Sequence, residues 1–230
     1  MTRVLILDGS IDADIYCPTQ GWRNLLGDVP SDSVHLPSGG RVPELKPYTH
    51  LIVTGSEASI TQWEPWYDVE ADVIRRAVKM GKAVFGSCFG HQMLAAALSG
   101  RQYTDASATP EHRWIEVELF ASDHLFEGLP HVVRMFAAHF DEVRDPPPPW
   151  RVLARSKDCA VHAMRYGHSP VWGIQAHPEI TPKEARALME GFVARHPDKA
   201  RFLARGLAME PMDDNAAPLI VRRFLESPAG

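Results

Sequence analysis

Apolar positions in this chain follow two different patterns. Between residues 3 and 100, short unbroken apolar runs alternate with longer stretches at helical spacing. The strands read at 3–7, 50–53 and 83–85 carry such runs (4–7, 51–53 and 83–85), the form taken by strands buried on both faces of a parallel sheet. Between them, residues 18–26 carry Trp22, Leu25 and Leu26 on one helical face, and 33–36 reads as a short strand. Residues 63–80 carry Trp66, Val69, Val73, Ile74 and Val78, with Gly81 closing the helix. After Gly100 the pattern changes. Residues 113–119 alternate polar and apolar, as a half-exposed antiparallel strand does. Further short strands follow at 132–136, 152–155, 160–164 and 171–175, separated by Gly/Pro turns. Thr181 and Glu184 have capping-box spacing before a helix over 185–193, and two more helices are predicted over 199–209 and 217–225. The pattern predicts an α/β fold: a central, mostly parallel sheet flanked by helices, with an additional antiparallel portion.

One stretch stands apart. Ala83-Val-Phe-Gly-Ser-Cys-Phe-Gly-His-Gln92 runs from strand through a sharp turn into a helix over 91–98 that Gly100 ends. Cys88 sits at the apex, with a glycine two residues to either side. A buried Cys after a strand is ordinarily a small hydrophobe. Symmetric glycines are not needed for that; they are needed where strand and helix pass too closely for a side chain. The helix N-terminus aims N–H groups and partial positive charge at the sulfur and favours thiolate.

The second motif lies far downstream. Val171-Trp-Gly-Ile-Gln-Ala-His-Pro-Glu179 reads as a strand with His177 just past its end, and Pro178 stiffens the loop. A thiol attacking an amide needs a base that takes its proton and returns it to the leaving amine, and imidazole titrates in that range. Glu179 can hold the other ring nitrogen if the loop turns it inward; alternatively it belongs to the helix start at Thr181.

Composition narrows the field. The chain has 230 residues, a net charge of −5 and no Lys/Arg-rich run, which argues against nucleic-acid or anionic-membrane binding. The N-terminal apolar run is too short for a signal peptide or membrane span. Three cysteines at irregular spacing (Cys17, Cys88, Cys159) suggest reduced thiols and a cytoplasmic setting. The cysteines are scattered and no third ligand sits at a suitable spacing, so neither metal nor cofactor is expected. No G-x-x-x-x-G-K-[ST] signature appears.

Gly86-Ser-Cys-Phe-Gly-His-Gln92 together with His177-Pro-Glu179 resembles the class I glutamine amidotransferase family, over roughly residues 3–195. The resemblance implies a flavodoxin-like domain over 1–195, with 196–230 as a helical extension packed on it. It implies Cys88, His177 and Glu179 as a catalytic triad. Phe89 and the Gly55-Ser56 loop then supply backbone donors to an oxyanion, although the family often has a second Gly and then Pro where this chain has Ser56 and Glu57. Gln92 resembles the family glutamine that contacts substrate, while His91 is read as packing. Ala137-Ala-His-Phe-Asp-Glu-Val143 resembles the family's S-H-x-D-x-V segment, which implies that the backbone at Ala138, His139 and Phe140 helps hold the substrate's glutamyl amino and carboxylate groups, although this chain has Ala138 where Ser is common; in the GMP synthetase branch the His and Asp face the partner domain. The implied reaction is hydrolysis of the glutamine γ-amide through a thioester on Cys88, with ammonia passed to an acceptor or a separate synthetase subunit. Two alternatives stay open: a γ-glutamyl peptidase acting on glutathione-like compounds, and a catalytically silent binding module.

Overall fold

In the computed structural model, which describes residues 2–228, nine strands form one continuous sheet. In chain order they are β1 (Val4–Asp8), β2 (Ser31–His35), β3 (His50–Val53), β4 (Ala83–Ser87), β5 (Thr104–Leu119), β6 (Val132–Val143), β7 (Trp150–Arg155), β8 (Ala163–Tyr166) and β9 (Val171–Ile174). Their spatial order is β2-β1-β3-β4-β9-β8-β7-β5-β6. The first five are parallel, and from β9 outward every pairing is antiparallel. The helices are α1 (Pro18–Leu26), α2 (Pro65–Lys79), α3 (Phe89–Ser99), α4 (Pro182–Arg195), α5 (Ala200–Leu207) and α6 (Ala217–Leu225). This is the mixed α/β sheet that the two apolar patterns predict. None of the described helices is long and apolar enough to cross a membrane.

The unbroken apolar runs are wholly buried, because helices cover both faces of the parallel half. On one face α2 and α3 pack over Leu5, Leu51 and Val84. On the other, Trp22 of α1 and Phe224 of α6 both meet Phe85 at ring-centroid separations of 5.5 Å. Ile220, Val221 and Phe224 of α6 are fully or nearly fully buried, each contributing about 2 kcal/mol of apolar transfer. A third cluster, including Trp114, Phe136, Met189 and Leu203, lies under α4 and α5.

Several boundaries differ from the pattern, among them β8, which runs over Ala163–Tyr166 rather than 160–164. β5 begins at Thr104, nine positions ahead of the alternation at 113, and it reaches that length by pairing with β6 across a register shift between Ala106 and Glu111. Pairing with β6 carries the two ends of this polar stretch, 104–106 and 111–112, and side-chain bonds from Ser107 to Glu142 and from Thr109 to the Asp158 carbonyl hold the residues between, so it needs no apolar face of its own. β6 runs on through His139 and Asp141 to Val143 for the same reason. α3 starts at Phe89, immediately after the cysteine.

Candidate active site

Cys88 adopts φ 48°, ψ −107°, one of three described non-glycine residues with positive φ. The two glycines explain how the turn closes. A Cβ on Gly86 would lie 2.5 Å from the Gly90 carbonyl oxygen, and one on Gly90 would lie 2.1 Å from the Val53 carbonyl oxygen. Backbone fills both spaces, so neither position admits a side chain. Phe89 is the first residue of α3, so its N–H has no acceptor within the helix.

His177 arrives from the neighbouring strand. β4 and β9 are parallel with Ser87 opposite Ile174, and Cys88 N–H donates to the Ile174 carbonyl at 2.9 Å. The two strands therefore end at one level, and the three residues after Ile174 carry the chain over to His177, whose N–H donates to the Phe136 carbonyl at 2.9 Å. The position is the crevice at the carboxyl ends of the parallel strands, where open α/β sheets bind ligands.

Glu179 turns inward. Its Oε1 lies 2.8 Å from His177 Nδ1, and both side chains are buried. The capping box at α4 is made by Thr181 and Glu184 without it. The same Oε1 accepts a hydrogen bond from the Tyr16 hydroxyl, which also lies 3.4 Å from His177 Nδ1. Gly55 leaves room for this group: a Cβ there would come within 2.7 Å of both His177 Cε1 and the Tyr16 hydroxyl. Gly21 does the same at the loop backbone, where a Cβ would lie 2.4 Å from the Glu179 carbonyl oxygen. Tyr16, in the loop after β1, carries no motif in the sequence; only the fold brings it here.

With Nδ1 held by the carboxylate, Nε2 of His177 is left without a hydrogen-bond partner among the described residues. The Cys88 thiol donates to the Ala138 carbonyl at 3.5 Å. Burial works against an imidazolium at His177, yet the nearby charges of Cys88 and then Glu179 outweigh it and raise the ring well above its ordinary value. Burial, followed by Glu179, holds Tyr16 protonated far above the usual phenol range. His91 is the reverse case: burial lowers it to about 3, and its Nε2 meets the Val161 carbonyl at 3.1 Å, a neutral packing residue.

Cys88, Phe89, His177, Ser56, Gln92, Ala138, His139 and Phe140 all line one cavity of about 560 Å³. Not all of them aim side chains into it. Gln92 donates to the Asp141 carbonyl at 2.7 Å and so ties α3 to β6. His139 is 2 % exposed and its ring bonds Glu111 and the Asp141 carbonyl. Asp141 is buried too, accepting from Ser59 Oγ at 2.6 Å and Ile60 N–H at 3.0 Å. These two side chains thus belong to the interior of this chain, not to a partner-facing surface. Glu57 accepts from the Ile11 and Asp12 N–H groups and joins the Tyr16 loop to the Gly55-Ser56 loop. The outer wall is apolar and comes from Ile15, Phe140, Leu188 and Phe192, with Lys199 Nζ 4.8 Å above the Phe140 ring. Behind the β6 wall of this cavity, and sharing His139 with it, Glu111, His139 and Cys159 form a buried group with metal-ligand spacing.

The family model described as glutamine amidotransferase class-I matches residues 35–195. The chain belongs to the class I glutamine amidotransferase family. Among curated members, one subunit of the glutamine-hydrolyzing GMP synthase from Pyrococcus abyssi is 38 % identical over 101 residues, 44 % of this chain and 53 % of that protein. The same subunit from Methanothermobacter thermautotrophicus is 32 % identical over 152 residues, covering 66 % and 81 %. The chain spans about half the length of the first of these relatives. Crystal structures of a glutamine amidotransferase from Thermotoga maritima and one from Methylobacillus flagellatus match its fold, with TM-scores of 0.79 and 0.77, each at 20 % identity. The first match covers 98 % of this chain and 99 % of the other; the second covers 98 % and 95 %. As a member of this family, the chain holds its motif cysteine and His177 of its His-Pro-Glu loop against one cavity.

Proposed function

We propose that this amidotransferase hydrolyses the γ-amide of glutamine through a γ-glutamyl thioester on Cys88. The observation that carries the reading is the bonded His177–Glu179 pair, with a free Nε2, bordering the same cavity as a thiol on a positive-φ helix tip. Cys88 attacks the amide carbon as thiolate. The tetrahedral oxyanion is met by the Phe89 N–H and a donor from the Gly55-Ser56 loop, each such donor supplying about 3 kcal/mol. His177 gives its proton to the departing nitrogen, then activates the water that cleaves the thioester. Glu179 fixes the ring's tilt and tautomer. Relatives named as one subunit of a glutamine-hydrolyzing GMP synthase support the passage of ammonia to a separate protein. In this reading the 196–230 helices are part of the same domain, since α5 and α6 pack into its cores.

A second reading has its own support. A cavity of about 560 Å³ is of the size that receives a drug-sized ligand, larger than an amino acid needs. Its apolar wall, with Lys199 at the edge, suits a γ-glutamyl amide whose amine carries apolar bulk and a carboxylate.

The test is a substrate panel on purified protein. Release of ammonia from glutamine, with a thioester adduct seen by mass spectrometry and lost in Cys88→Ser, supports the first reading. Poor use of glutamine with ready cleavage of larger γ-glutamyl amides supports the second. No turnover of either, with wild type and Cys88→Ser alike, overturns both.

A further inference from the structure

Behind the strand that carries Ala138 and Phe140 lies a group of side chains for which the proposed hydrolysis has no use. Glu111 on β5, His139 on β6 and Cys159 on the β7–β8 turn are all buried, and one potential ligand atom from each lies within 4.8 Å of the others. His139 Nε2 is 3.1 Å from Glu111 Oε2. His162 Nε2 is 3.8 Å from the same oxygen, is almost wholly buried, and has no hydrogen-bond partner among the described residues.

Hydrogen-bond polarity sharpens the point. His139 Nδ1 lies 3.1 Å from the Asp141 carbonyl oxygen, which can only accept, so Nδ1 carries the proton. In the neutral ring Nε2 is then a bare lone pair facing a carboxylate oxygen, and two acceptors at that distance need a cation between them. A second proton on His139 would satisfy that one contact, and His162 Nε2 would still be orphaned beside it. A metal ion takes both rings, the carboxylate and the sulfur together.

We propose that Glu111, His139 and Cys159 bind one divalent transition metal of the zinc class, with His162 as fourth ligand. A thiolate, imidazoles and one carboxylate are a zinc-type set, whereas magnesium and calcium take oxygen ligands. Zinc bonds of about 2.0–2.3 Å in a tetrahedron place neighbouring ligand atoms about 3.3–3.8 Å apart. The Glu111 contacts, at 3.1 and 3.8 Å, are already close to that spacing. The edges among Glu111, His139 and Cys159, bounded by 4.8 Å, contract by about an ångström on binding, and the His162 ring, which lies outside that bound and touches the group through Glu111, moves in to complete the tetrahedron. Supporting contacts are in place: the Asp141 carbonyl sets the tautomer of His139, and Ser156 Oγ donates to Glu111 Oε1 at 2.8 Å. Four protein ligands leave no open position, so the site is structural. It clamps the segment of β6 whose Ala138 carbonyl receives the Cys88 thiol. The proposal stands apart from the amide chemistry, and its test reads metal alone.

The test uses the full chain carrying Cys17→Ser and Cys88→Ala, which leaves Cys159 as the only one of three cysteines. Reduced, metal-stripped protein is titrated with cobalt(II). The expected result is saturation at one equivalent, with a thiolate-to-cobalt charge-transfer band and the intense visible absorption of a tetrahedral ion, both displaced by zinc. Adding Cys159→Ser removes the band and weakens binding by about 100-fold, and His162→Gln alone weakens it by at least about 10-fold. Absence of the band from the chain that retains Cys159, or cobalt affinity unchanged by either further substitution, overturns the proposal and leaves a protonated His139–Glu111 ion pair.

Discussion

Tyr16 and Glu179 share a hydrogen bond at the one carboxylate oxygen that also holds His177 Nδ1. The phenol is buried, packs edge-on to the imidazole at 5.7 Å and is kept protonated, so it is a permanent donor. Tyr16→Phe keeps the ring packing and removes only that donor. A hydrogen bond to a charged group is worth about 1.5–3 kcal/mol. The expected result is a roughly 10- to 100-fold fall in kcat with KM little changed. Steady-state kinetics with an unchanged melting curve check it, and a kcat within twofold of wild type would remove Tyr16 from the positioning group.

Imidazolium at His177 is favoured in the folded protein by Cys88 and Glu179, against burial. An ordinary histidine titrates near pH 6.5. The stability gained from this charge is therefore fully present below about pH 6.5 and is lost as pH rises through the higher folded value. Cys88→Ala deletes the larger of the two favouring charges, so the ring should titrate at lower pH and the loss should begin earlier. NMR titration of the His177 ring signals checks this; a midpoint unmoved by the substitution contradicts the coupling.

Two glycines separate folding from function. Gly90→Ala sets a Cβ 2.1 Å from backbone at Val53, which has no freedom to yield, and is expected to cost about 3 kcal/mol or more. Gly55→Ala meets side chains instead, His177 and Tyr16, and displaces the imidazole. It is expected to fold with a near-native melting temperature while losing about 100-fold in turnover. A Gly55→Ala protein as active as wild type would show that the ring does not need its present place.

Glu70 lies on α2 wholly buried, and neither of its carboxylate oxygens has a hydrogen-bond partner among the described residues. Burial, then the charge of Asp8, raises it well above the carboxylate range. The unfolded chain ionises near pH 4.3 and the folded one far later, so wild-type stability falls as pH climbs between those values. Glu70→Gln removes that dependence. At pH 8 it is expected to be more stable, with a higher melting temperature than wild type, and indistinguishable below pH 4. Thermal melts across pH decide; a destabilised variant at pH 8 would mean that the carboxylate is satisfied in solution.

Local chemistry in the sequence determined the parallel half of the sheet, the elbow at Cys88 and the stiff His177-Pro-Glu179 loop. Unbroken apolar runs, paired glycines and a proline state their requirements within a few residues of themselves. The full length of β5 and β6 was not legible, because residues 104–112 are held by cross-strand pairing at their two ends and by side-chain bonds of Ser107 and Thr109 between, rather than by an apolar face. Nor was the inward turn of His139 and Asp141, which depends on Glu111 and Ser59 far along the chain. Tyr16 on Glu179 and Cys159 beside His139 have no signature in sequence at all. Contacts between distant residues follow from which strands become neighbours and where each one ends, and that is settled only when the sheet closes around its core.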